Sequence, residues 1–459
     1  MGGIPPEANQ GHASGRFGTK GAEGRAPRFA LVLSGGGARG AYEAGVMHYI
    51  RTKLPREIAE KPLFQIYSGT SVGAINCASL AANAEDPLFQ AAYLRKLWTE
   101  LRPEDVYFAD KRALAGFLMK SGFFMATNFM GFRQMLGNVN PDTVFPFRAV
   151  LDTTPFVNYL RRNVSWGKIH RNIERGIIDA VSVSASHLRT GKLALFVEKG
   201  EGVQYSSGGV APLFCQLSPK HILASAAIPL IFPVIRVNRE YYGDGSMRQN
   251  TPMSPAMHLG ADRLLVIALR TTKPHIPPPP TGGKVEGEPR VSNILGHMLN
   301  TVFLDKIDYD LEQMRRINFL LQDLGEVYGE NVMERVNRYR EKLDIPGKKI
   351  HPIREVRPFV ISPSEDIGHI AADLFNKAIR NKETLNPLHR FFANVLEAEG
   401  DNDFMSYLLF EREYLDTLID LGFSDAAREH DRLVNFFTNQ PLDGPPPIAT
   451  GEDAGNGVE

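Results

Sequence analysis

Cysteine is nearly missing from this chain. Cys77 and Cys215 are the only two, too few for a disulfide framework and without the spacing of a metal site. Both read as buried thiols. Also missing is any apolar run approaching the roughly 20 residues that a membrane-spanning helix needs; the nearest, residues 222–237, is short and broken by Pro229 and Pro233. Neither charge sign has a majority. Lys+Arg and Asp+Glu each number 52, so no net field draws the whole molecule toward nucleic acid or an anionic membrane. The N-terminal residues lack the apolar core of a secretory signal, and Pro6 stands where a myristoylation signal has Ser or Thr. The expectation is a cytoplasmic or peripherally membrane-associated protein with no nucleic-acid partner. Its oligomeric state is not set at this level.

What is present suits a large folded core: 459 residues, 43% hydrophobic and 23% charged. Apolar runs of strand length, at 29–33, 64–67, 180–184, 193–197, 234–237, 264–269 and 356–361, alternate with segments of helical period. That alternation predicts an α/β fold with a mostly parallel sheet. The organisation reads as a disordered leader over 1–28, a core over 29–272 and a Pro/Gly-rich loop over 273–291. A largely helical part with one late strand follows over 292–440, then a disordered tail over 441–459. Residues 294–321 repeat apolar side chains at helical spacing and predict a long amphipathic helix packed on the sheet.

The first strand runs into Ser34-Gly35-Gly36-Gly37-Ala38-Arg39-Gly40 and then a helix. Such a turn aims backbone N–H groups at whatever lies at the helix N-terminus, which makes it an anion site. Gly35, Gly37 and Gly40 also match the dinucleotide pattern G-x-G-x-x-G. A nucleotide site further needs an acid ending the second strand, but here that strand leads into Tyr67-Ser68-Gly69. The same glycines fit an oxyanion hole, where donors must approach closely and no side chain may intrude.

Gly69-Thr70-Ser71-Val72-Gly73 is G-x-S-x-G between a predicted strand and a predicted helix, the setting of a nucleophile elbow. The turn lifts the Ser71 hydroxyl to the end of the sheet, and Gly69 and Gly73 leave room for the sharp reversal. The following helix directs its positive end toward developing negative charge. A serine so placed needs a base. Tyr242-Gly243-Asp244-Gly245-Ser246 carries one carboxylate on a tight turn; taken alone, such an aspartate commonly does no more than bond its own backbone.

Taken in order, the blocks from Gly35 to Gly40, from Gly69 to Gly73 and at Asp244-Gly245 resemble the three signatures of patatin-like phospholipases. Ala224-Ser225-Ala226-Ala227-Ile228-Pro229 with Phe232-Pro233 is also similar to that family. One departure is Ser246, where the family usually has a second glycine. The resemblance implies a three-layer α/β/α fold with extra C-terminal helices, and a lipid ester as substrate. It implies a Ser71–Asp244 dyad in which Asp244 takes the serine proton, while Gly35, Gly36 and Gly37, with Arg39 beside them, stabilise the oxyanion. An acyl-Ser71 intermediate is then hydrolysed. No metal and no cofactor are implied. A normal aspartate, with a pKa near about 3.9, is a poor base for serine, so the site must be partly desolvated or must couple proton transfer to attack.

A Ser-Asp-His triad remains the rival, with His258, His351, His369 and His389 all following the acid in sequence. Residues 117–136 are dense in Phe and Met, among them Phe117, Met119, Phe123, Phe124, Met125 and Phe129. Such an adaptable apolar segment serves equally as core helices or as a lid and acyl-chain wall touching membrane.

Overall fold

The computed structural model describes residues 26–108, 151–206, 209–229, 231–271, 307–329, 331–342, 352–380 and 405–438. The expectations for residues 117–136, 273–291, 294–306 and 441–459, and for most of the leader, lie outside these residues, as do His351 and His389.

A nine-stranded sheet organises the chain. Its strands are β1 (Phe29–Leu33), β2 (Ile66–Thr70), β3 (Ala180–His187), β4 (Lys192–Lys199), β5 (Pro212–Phe214), β6 (Ile235–Val237), β7 (Glu240–Asp244), β8 (Arg263–Ile267) and β9 (Arg357–Ile361). The spatial order is β5-β4-β3-β2-β1-β8-β9, with β7 pairing β3 and β6 off that path. From β3 to β9 the neighbours run parallel, whereas β3 pairs β4 and β7 antiparallel. The sheet is therefore mixed and mostly parallel.

The strand pattern separates two cores, because successive residues point to opposite faces. Leu31 and Leu33 of β1 and Leu265 and Ile267 of β8 enter one apolar cluster. Ala30, Val32, Leu264 and Val266 enter the other. The first face is covered by helices α1 (Ala41–Lys53), α2 (Val72–Ala82), α3 (Pro87–Glu100), α4 (Thr154–Asn163) and α5 (Pro219–Ser225). The second is covered by α6 (Met253–His258) and α7 (Ile307–Tyr328). The C-terminal helices α8 (Met405–Leu408) and α9 (Arg412–Arg428) add to the first face. The result is the expected three-layer α/β/α arrangement.

α1 is buried on nearly every side, between the sheet and α9. Two glycines permit this crossing: a Cβ on Gly45 would lie 2.0 Å from the Ile419 carbonyl, and one on Gly422 would lie 2.1 Å from that of Tyr42. The predicted amphipathic helix exists as α7, which buries Ile307, Leu311 and Met314 but leaves Ile317 exposed and continues beyond residue 321.

Two strand expectations are corrected. β2 runs on to Thr70, past residue 67, although Ser68-Gly69-Thr70 reads as turn. Ser68 Oγ donates to the Pro252 carbonyl and Thr70 Oγ1 to that of Gln249, at 2.8 and 2.9 Å, so buried hydroxyls are satisfied inside the sheet. Asp244, expected on a tight turn, is instead the last residue of an antiparallel strand.

Candidate functional site

The pairing of β3 brings the serine and the aspartate together. β2 occupies one edge of β3 along Ala180 to Ser184, with Thr70 opposite Ser184. Antiparallel to it, β7 takes over at the next residue, with Asp244 opposite Ala185. The two strands meet head on, so the residue after Thr70 and the last residue of β7 face each other. Ser71 Oγ donates to Asp244 Oδ2 over 2.8 Å.

Ser71 has φ 53° and ψ −121°, a left-handed conformation that costs a non-glycine residue about 1–3 kcal/mol. Tight packing holds it there. A Cβ on Gly69 would lie 2.4 Å from the Gly73 carbonyl, and one on Gly73 would lie 2.3 Å from that of Leu33, so both positions of the turn exclude side chains. Ser71 N–H donates to Ser225 Oγ at 2.8 Å. Ser225 in turn donates to the Ser184 carbonyl at 2.5 Å. Sequence reasoning placed Ser225 in a family block without a task; its role is visible only once α5 docks beneath the elbow.

Asp244 is fully buried. Desolvation pushes its pKa up to about 6, opposed by the hydrogen bonds from Ser246 and Ser71. Oδ1 accepts from the Ser246 amide at 2.8 Å, and the Asp244 amide donates to the Ala227 carbonyl at 2.9 Å. The basicity that an isolated aspartate lacks is thus supplied by burial.

The glycine turn lies beside this pair. Gly35 N–H donates to the Asn250 carbonyl at 3.1 Å, whereas the Gly36 and Gly37 amides have no hydrogen-bond acceptor among the described residues. Gly37 has φ +57°, and its Cα rests on the Tyr407 backbone. Arg39 is 2% exposed; its Nε donates to Ser406 Oγ at 2.7 Å and its guanidinium lies 4.1 Å above the Tyr407 ring. The acidic residue that a dinucleotide site requires after β2 is absent, since β2 leads straight into the elbow.

Ser71 and Gly37 open on a small apolar cavity of about 50 Å³. Its walls include Ile75, Leu94, Trp98, Phe156, Ile228 and Phe410. Behind one wall, Asn76 Nδ2 donates to Glu43 Oε2 at 2.7 Å and to the Gly40 carbonyl at 3.0 Å. Trp98 Nε1 donates to Asn76 Oδ1 at 2.9 Å. Glu43 is completely buried, and desolvation raises its pKa well above the ordinary glutamate value, opposed by the hydrogen bonds from Asn76 and Ser34. No sequence signal distinguished it.

Among the described residues no histidine hydrogen-bonds Ser71 or Asp244. His258 lies on α6, on the opposite face of the sheet, with Nδ1 2.5 Å from Ser206 Oγ. His369 lies in the helix Ile367–Arg380. No group of three or more His, Cys, Asp or Glu side chains among the described residues is placed to hold a metal ion, and no helix among them is long and apolar enough to cross a membrane.

The fold and site define an α/β protein with an elbow serine hydrogen-bonded to a buried carboxylate beside an apolar cavity. Residues 31–257 match the family model of patatin-like phospholipase, so the chain carries a patatin-like phospholipase domain, a domain of lipid ester hydrolases. It is similar to VipD from Legionella pneumophila, with 13% identity over 86% of this chain and 67% of that one and a TM-score of 0.27. It is also similar to human GIVD cytosolic phospholipase A2, solved with methyl γ-linolenyl fluorophosphonate. There identity is 12% over 90% of this chain and 59% of that one, with a TM-score of 0.34. No curated protein sequence matches the chain.

Proposed function

We propose that this protein hydrolyses the carboxylic ester of a lipid, with Ser71 as nucleophile and Asp244 as the side chain that moves its proton. The observation that carries the reading is the 2.8 Å hydrogen bond from Ser71 Oγ to a fully buried carboxylate. Asp244, deprotonated, accepts the hydroxyl proton as Oγ attacks the acyl carbon. The carbonyl oxygen becomes an oxyanion, held by the amides of Gly36 and Gly37. Collapse of the tetrahedral intermediate breaks the bond to the leaving alkoxide, which takes the proton from Asp244. Water, deprotonated by the same carboxylate, then attacks the acyl-Ser71 carbonyl; the bond to Oγ breaks, Oγ regains the proton from Asp244, and a fatty acid is released.

In this reading Gly35 and Arg39 act through the loop. The Gly35 amide bonds Asn250 and the Arg39 Nε bonds Ser406, which supports a role for both in holding the turn in place. The apolar cavity takes the acyl chain, and peripheral contact with a lipid surface delivers it. Phe108, 56% exposed and two residues from cavity-lining Val106, fits such contact.

Labelling with an alkyl fluorophosphonate tests the proposal. The wild type should react at one serine, and Ser71→Ala should not. Asp244→Asn should react far more slowly. Equal labelling of wild type and Ser71→Ala would overturn it.

A further inference from the structure

Resting on that reading, we propose that residues 405–410, far outside the matched domain, complete the acyl site. Phe410 limits the acyl chain, while Ser406 and Tyr407 position the glycine loop.

Three observations place this segment at the centre of the site. Phe410 shares the walls of the Ser71 cavity and is itself 7% exposed, with its ring edge-on to Tyr107 at 6.2 Å. The Tyr407 backbone lies against Gly37, where a Cβ would meet its carbonyl oxygen at 2.2 Å. Its ring carries the Arg39 guanidinium, whose Nε donates to Ser406 Oγ.

The segment is itself held firmly. Tyr107 Oη donates to the Leu408 carbonyl and Tyr414 Oη to that of Ser406, both at 3.2 Å. Tyr107 and Tyr414 are both buried. A displacement of α8 would therefore move the Gly37 backbone and one wall of the cavity together. An oxyanion donor is effective only when it is held in place before charge develops, and a loop this rich in glycine has little intrinsic stiffness.

Chain length is then a property of a residue from the C-terminal part. A single methylene in an apolar pocket discriminates by roughly 10-fold or more, and Phe→Ala removes far more volume than that.

The test is kcat/KM on p-nitrophenyl esters from acetate to palmitate with wild type, Phe410→Ala and Phe410→Trp. Phe410→Ala should shift the preferred chain to greater length and Phe410→Trp to shorter, each changing the long-to-short ratio at least about 10-fold. Tyr407→Leu should lower kcat several-fold on the shortest ester with KM unchanged and the pH profile retained. A wild type that cleaves esters, with the length preference unaltered in both Phe410 variants and kcat unaltered in Tyr407→Leu, overturns this inference alone. A wild type that cleaves none of them overturns the proposed function and this inference with it.

Discussion

Gly35 N–H donates to the Asn250 carbonyl over 3.1 Å, which stitches the glycine turn after β1 to the loop that follows Asp244. The two segments are far apart in sequence, and their contact is close on both sides. A Cβ on Gly35 would lie 2.2 Å from Ser246 Oγ, 2.6 Å from Asn250 Oδ1 and 3.2 Å from Ser71 Cβ. Gly35→Ala should therefore displace Ser246 and the nucleophile while leaving the sheet intact. We expect kcat to fall about 10²-fold or more, the scale of losing one oxyanion donor, with a cooperative thermal transition retained. Near-wild-type kcat would show that the turn tolerates the shift.

The raised pKa of Asp244 fixes a pH dependence. The carboxyl must be ionised to accept the serine proton, so kcat/KM should rise tenfold per pH unit below about 6 and level off above it. A profile flat from pH 4.5 to 7.5 would contradict this.

The same shift affects stability with the opposite sense. The native state binds the Asp244 proton more tightly than the unfolded chain, so this stabilisation is fully present below about 3.8. It is lost as pH rises through about 6, at a cost of about 3 kcal/mol. Asp244→Asn should thus be inactive yet gain thermal stability over wild type at pH 7, and lose that advantage at pH 4. Calorimetry at the two pH values measures it.

Ser225 accepts the amide of a residue held at positive φ. Ser225→Ala leaves that buried N–H without an acceptor, which costs about 1–3 kcal/mol. It should lower both the thermal midpoint and kcat, whereas Ser225→Thr, which keeps a hydroxyl, should recover part of each.

Burial raises the Glu43 pKa well above its ordinary value, so by the same linkage as at Asp244 the Glu43→Gln variant should gain stability over wild type at pH 7. Glu43→Leu should be less stable than Glu43→Gln, because it leaves Asn76 Nδ2 with one acceptor fewer. Denaturant unfolding of both variants distinguishes the cases.

Sequence alone determined the local chemistry. Continuous apolar runs of strand length marked most strands, because a strand buried on both faces must be apolar throughout. G-x-S-x-G marked the elbow, because few residue types tolerate so sharp a turn between a strand and a helix. Tertiary structure decided the rest. That Asp244 faces Ser71 follows from β2 and β7 meeting head on along one edge of β3, a pairing that neither segment encodes by itself. Desolvation of Asp244 and of Glu43 and the acceptor under the elbow depend on packing across the layers. The contact of residues 405–410 with a glycine turn more than 360 residues earlier arises in the same way. Motifs record what the backbone must do locally, whereas burial and long-range pairing are properties of the assembled layers.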